Sequence, residues 1–65
     1  MTGEDVLGRA VAELSAAEAA VIEARRNLSA LIIAERRAGV SVADLAARTG
    51  KTPIGIRNLL TVAGL

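Results

Sequence analysis

Eight apolar residues recur at alternating steps of three and four along the first half of the chain: Leu7, Ala10, Leu14, Ala17, Val21, Ala24, Leu28 and Leu31. On an α-helix this spacing keeps one stripe apolar, and sustained over more than three heptads it is the pattern of a coiled-coil seam. Little interrupts it. There is no proline between Glu4 and Ala38, the last glycine before Gly39 is Gly8, and strong helix formers dominate the stretch. One long helix is predicted. A break near Asn27-Leu28-Ser29 is the alternative, which would let the helix fold back on its own chain.

The seam has a grain. Large residues at Leu7, Leu14, Val21 and Leu28 alternate with Ala10, Ala17 and Ala24. Alternating large and small side chains lets two helices approach closely, as in antiparallel pairs. The flanking charges favour the same direction. Centring an antiparallel pair on Val21 brings Glu18 of one chain beside Arg25 of the other, twice by symmetry, whereas a parallel pair sets Glu18 against Glu18. Exposed pairs of this kind are worth under ~1 kcal/mol, so they choose direction more than they drive assembly. Leu7, Ala10, Leu14, Ala17, Val21, Ala24 and Leu28 are therefore the expected dimerisation residues.

The need for a partner follows from size. Sixty-five residues bury too little surface for comfortable stability alone, and small domains turn to disulfides, metals or association. Cysteine and histidine are both absent, which removes disulfides, thiolate sites and the commonest metal ligand. Self-association is what remains. No metal, cofactor or small-molecule ligand is expected. With no histidine, cysteine or tyrosine, and with acids scattered along one helix, an enzyme is not expected either; so short a chain leaves no room for an enclosed substrate pocket.

The opening residues Met1 to Asp5 carry acid where a secretory signal carries base. The most apolar run, Leu28 to Ala34, falls short of the ~20 residues a bilayer requires. A cytoplasmic protein without membrane contact is expected. The wealth of alanine and arginine hints at a GC-rich genome, such as an actinobacterium or its phage.

A net charge of +1 conceals two unlike halves. Residues 1–24 hold one base, Arg9, against five acids, giving −4; residues 25–65 hold seven bases against Glu35 and Asp44, giving +5. A basic half beside an acidic one points to an anionic partner for the basic half, with nucleic acid first in line.

That basic half has its own punctuation. Gly39 suits the left-handed end of a helix. Ser41, with Asp44 three residues on, reads as a helix cap. Val42, Leu45, Ala46 and Thr49 mark one face of a short helix ended by Gly50. Thr52 caps a further helix whose first position suits Pro53, because that amide needs no internal partner. Ile56, Leu59, Leu60 and Ala63 form its apolar stripe. The triplet Gly50-Lys51-Thr52 resembles the end of a phosphate-binding loop, but such a loop needs a glycine five residues earlier, after a strand, and that position is Leu45 within a helix. It is read as a turn followed by a cap.

Two short helices joined by a glycine turn make a helix-turn-helix pattern. The segment "VADLAARTGKTPIGIRNLL" resembles the DNA-binding helix-turn-helix family over about twenty residues. Ala46 stands where that family needs a small residue, Gly50 at its turn, and Ile56 and Leu59 at the core positions of its second helix, with Leu45 packing underneath. Thr49 departs from the pattern, where an apolar residue is more usual, as does Gly55, which weakens its helix by ~1 kcal/mol relative to alanine. The resemblance implies that residues 27–38 complete a three-helix unit and that the second helix enters the major groove of double-stranded DNA.

The polar face of that last helix agrees. Ile54, Arg57, Asn58 and Thr61 lie opposite the apolar stripe. Arginine can bond guanine twice, asparagine adenine twice, and isoleucine can touch a thymine methyl. Gly55 would let the backbone approach the groove wall. Arg48 and Lys51 flank the helix start, where phosphate is expected, and Thr52 sits at the amides and dipole that favour it.

The expected architecture is all-α: a coiled-coil segment over 1–26, then a helix-turn-helix unit over 27–65 that shares the long helix. The expected function is a small homodimeric, sequence-specific DNA-binding regulator of repressor type. The alternative is a protein-interaction module whose alanine-rich helix grips a partner. Val42 lies 21 residues beyond Val21, ~32 Å of helix, so in an antiparallel dimer the two reading heads are expected ~60 Å or more apart, nearer two turns of DNA than one, with widely spaced half-sites or DNA bending.

Overall fold

The computed structural model describes residues 3–65, with side chains from Asp5 onward. Met1 and Thr2, part of the stretch read as unlike a secretory signal, lie outside the described residues. The described chain is all helical: a long α1 (Gly3–Arg37), then two short helices, α2 (Val42–Thr49) and α3 (Pro53–Val62). Among the described residues no helix is long and apolar enough to cross a membrane.

Helix α1 runs unbroken through Asn27-Leu28-Ser29 and ends where the sequence signals an end. Gly39 takes φ 102°, and the Val40 and Gly39 amides donate back to the Glu35 and Arg36 carbonyls, each at 3.1 Å. This pair of reversed bonds satisfies carbonyls that would otherwise lack partners at the helix end. Arg36 adds a bond from its guanidinium to the Val40 carbonyl at 3.2 Å. The chain turns and Ser41 caps α2, its hydroxyl oxygen accepting the Asp44 amide at 3.1 Å.

One small core joins the three helices: Ile32 from α1, Leu45 and Ala46 from α2, Ile56 and Leu60 from α3, with Ile33, Val40, Val42 and Leu59 packed around it. Ile32 is the one side chain α1 buries fully. Residues 5–28 of α1 are all exposed. Leu7, Leu14, Val21 and Leu31 are each about half or more exposed, and so are Val6, Val11 and Ile22. The shape records this. A radius of gyration of 17.6 Å compares with about 11 Å for a compact chain of this length. The apolar stripe of α1 is thus left open to solvent along most of its length.

The longest dimension is 56 Å, and 35 helical residues already span about 52 Å. The head formed by α2 and α3 therefore lies beside the last turns of α1, not beyond them. Leu45, Arg48 and Thr49 of α2 line a shallow groove with Leu28, Leu31, Ile32 and Glu35 of α1. The expected separation of ~60 Å assumed that the chain ran straight on from α1 to Val42. It turns back, so the head is centred near Ile32, only 11 residues from Val21, or ~17 Å of rise.

Candidate nucleic-acid interface

Helix α3 separates its residues cleanly. Ile56 is fully buried and Leu60 nearly so, while Leu59 and Ala63 are half-buried beside them. The other side is open: Ile54 is 68% exposed, and Arg57, Asn58 and Thr61 are exposed with it. Ile54 faces outward and does not pack on the long helix. Its side chain offers apolar surface on an otherwise polar face, which a partner could bury.

The helix start is well ordered by its own chemistry. Thr52 has an extended backbone, and its side-chain oxygen accepts the Gly55 amide at 3.0 Å. In that bond the hydroxyl acts as acceptor, so its own hydrogen remains available to an incoming acceptor such as phosphate. Pro53 occupies the first turn, where no internal amide bond is lost. Gly55 is half-buried, and a Cβ placed there would meet Thr52 Oγ1 at 3.1 Å. The absent side chain thus relieves the cap itself, a use of Gly55 additional to a close approach of backbone to a groove wall.

Lys51 is exposed in the three-residue turn between α2 and α3. Among the described residues neither Lys51 nor Arg57 is held in an ion pair. Arg48 differs. Its Nη1 lies 3.6 Å from Asp44 Oδ2 and 3.8 Å from Glu35 Oε2, which ties α2 loosely to α1. Its side chain is 59% exposed, so each pair contributes at most about 1 kcal/mol. Two nearby carboxylates nevertheless offset its charge as seen by a phosphate. Thr61 also has a local commitment, since its hydroxyl donates to the Arg57 carbonyl at 2.9 Å. Thr52, Ile54, Gly55, Arg57, Asn58 and Thr61 therefore share α3 and its cap, with Lys51 in the adjoining turn. Arg48 stands on α2 against α1.

Thr49, the unusual polar residue before the turn, solves its own burial. Its hydroxyl donates to the Leu45 carbonyl at 2.7 Å and accepts the Lys51 amide at 3.3 Å. It holds Lys51, the middle residue of the turn, in place next to Gly50 at φ 73°. A threonine in the last turn of a helix, able to bond four residues back, was the signal for this role. Comparisons with protein-family models, with curated proteins and with solved structures return no match.

Proposed function

We propose that this chain is a sequence-specific double-stranded DNA-binding protein that works as an antiparallel homodimer, a small transcriptional regulator of repressor type. The observation that carries this reading is the outer face of α3. A capped helix presents Ile54, Arg57, Asn58 and Thr61 to solvent at helical spacing, on the second of two short helices joined by a three-residue turn. Those side chains can bond guanine and adenine edges and touch a thymine methyl. Lys51 and the Thr52 cap supply the phosphate contacts that set register.

The placement of the head supports a dimer suited to duplex DNA. With Leu7, Leu14, Val21 and Leu28 at the large seam position, Val11, Glu18, Arg25 and Ile32 form the row that flanks the seam on one side. Ile32 is the residue the head buries, so the head sits on that flank. A two-fold axis at Val21 keeps the two like flanks on one face of the pair, and both heads with them. Ile32 and its symmetry mate are then ~33 Å apart along the axis, close to the 34–36 Å between half-sites one turn apart. Half-sites spaced by one turn are expected, in place of the wider spacing inferred from sequence.

The test is selection from pooled genomic fragments followed by footprinting. Micromolar or tighter binding that weakens steeply with salt, over two protected stretches about one turn apart, is expected. Absence of salt-sensitive binding would sink this reading. It would favour the second one, in which the exposed stripe of α1 captures the helix of another protein.

A further inference from the structure

The shallow groove between α1 and α2 has a predicted occupant. We infer that it receives Val11 and Leu7 of the second copy of this chain, so that each protomer's N-terminal turns brace the other's reading head. The inference rests on the antiparallel pair proposed above and goes beyond it, because an antiparallel seam alone does not require any contact with α2.

Three observations converge. First, the groove is continuous with the seam: Leu28 and Leu31 belong to the apolar stripe and also line the groove, where Leu45, Arg48 and Thr49 form the other wall. A second depression on the same flank, lined by Leu14, Ala17, Glu18, Val21, Ile22 and Arg25, leads up to it along α1. Second, the register that pairs Glu18 with Arg25 also pairs Val11 with Ile32, since the two sums of residue numbers are equal. Leu7 then falls one turn further on, beside Glu35 and hence beside the Arg48 it pairs with. Val11 is 59% exposed and Leu7 65%, so both have apolar surface to bury. Third, the two ends of α1 are complementary: residues 1–24 carry −4, and residues 25–37 carry +3 from Arg25, Arg26, Arg36 and Arg37 against Glu35, so the acidic end of one helix lies along the basic end of the other only when the chains run in opposite directions.

The consequence is mechanical. The head is fastened to its own α1 by Ile32, the half-buried Ile33 and the exposed Arg48–Glu35 pair. A second helix laid in the groove holds α2 from the side away from α3. The angle of the reading helix then depends on the partner being present.

Cysteine is absent from the chain, so introduced thiols report without background. Leu14→Cys with Leu28→Cys reports the antiparallel seam. Val11→Cys with Arg48→Cys, and independently Leu7→Cys with Arg48→Cys, report the groove. Within one chain Val11 stands ~31 Å of helix from Ile32, too far for an internal link to the head. Val11→Cys with Val62→Cys, a position 91% exposed, measures chance collision. Circular dichroism confirms that each variant is folded before oxidation. Linked dimers from the seam pair and a groove pair are expected, forming on the order of a hundredfold faster than the collision control at micromolar protein. Seam links without groove links from either pair would overturn the groove assignment and leave the antiparallel dimer standing. A monomer in sedimentation, or Val11→Cys alone linking to itself, would overturn both.

Discussion

Thr52 Oγ1 accepts the Gly55 amide at 3.0 Å, and the same oxygen lies 3.1 Å from where a Cβ on Gly55 would sit. The cap and the glycine are therefore one device. Thr52→Ala removes the acceptor and costs about 1 kcal/mol, which in a domain this small lowers the melting temperature by roughly 4–8 °C. Gly55→Ala alone gains less than the ~1 kcal/mol of helix propensity, because Oγ1 must either yield space or leave the amide. In a Thr52→Ala background that crowding is gone and the full gain returns. A double-mutant cycle by thermal melts reads the difference directly. An equal gain from Gly55→Ala in both backgrounds would show that the close approach costs nothing.

If α3 reads DNA as proposed, the two basic residues beside it are expected to behave differently. Lys51 is exposed and outside any ion pair among the described residues, whereas Arg48 lies near Glu35 and Asp44. Lys51→Ala is expected to weaken binding to all DNA sequences alike and to reduce the slope of log affinity against log salt by about 1. Arg48→Ala is expected to change that slope by clearly less, because its counterions are already protein carboxylates. Titrations at several salt concentrations separate the two. Equal slopes for both variants would mean that Arg48 leaves its carboxylates when DNA arrives.

If the stripe on α1 is closed by a second copy, stability must depend on protein concentration. A tenfold rise stabilises a folded dimer by ~1.4 kcal/mol, which for two chains of this length raises the melting temperature by about 5 °C. Val21→Asp places two carboxylates near the two-fold axis of the proposed pair. It is expected to give a monomer in sedimentation and to remove the concentration dependence. Because a lone helix draws most of its stability from packing, the far-ultraviolet helical signal should fall as well. A wild-type melting temperature unchanged over a hundredfold in concentration would contradict the dimer.

What could be read from sequence was what local chemistry decides. Gly39, Ser41, Gly50, Thr52 and Pro53 each carry a backbone preference strong enough to set a boundary, and all five do so in the structure. The stripes of α2 and α3 were legible because each short helix has one apolar face. The run Leu28 to Ala34 was not legible in the same way. It is apolar nearly all round, since Leu28 and Leu31 continue the seam while Ile32 and Ile33 serve the head, and periodicity alone does not divide such a run between two interfaces. The return of the head alongside α1 was hidden for a related reason. It depends on how Leu45 and Ile56 pack on Ile32, a contact between residues far apart in the chain. The Arg48–Asp44 pair is a four-residue helix spacing visible in sequence, but Glu35 reaches Arg48 only through the fold.

The exposed face of α3 gives the most direct prediction of the proposed function. Arg57 and Asn58 are neighbours on the exposed side of α3, with Ile56 buried behind them and Thr61 following one turn on. Adjacent residues point 100° apart on a helix, so the two side chains would address different base pairs. Arg57→Ala is expected to cost about 1–3 kcal/mol on the selected site and to relax the choice of base at one position, a guanine if the contact is bidentate. Asn58→Ala is expected to do the same at a second position, where adenine is preferred. Neither should alter binding to unrelated duplexes by a comparable amount, because neither is needed for phosphate contacts. Repeating the selection with each variant tests the assignment position by position. If both variants recover the same site as the parent with the same affinity, α3 does not read sequence through these side chains, and the exposure of Ile54 must serve a different partner.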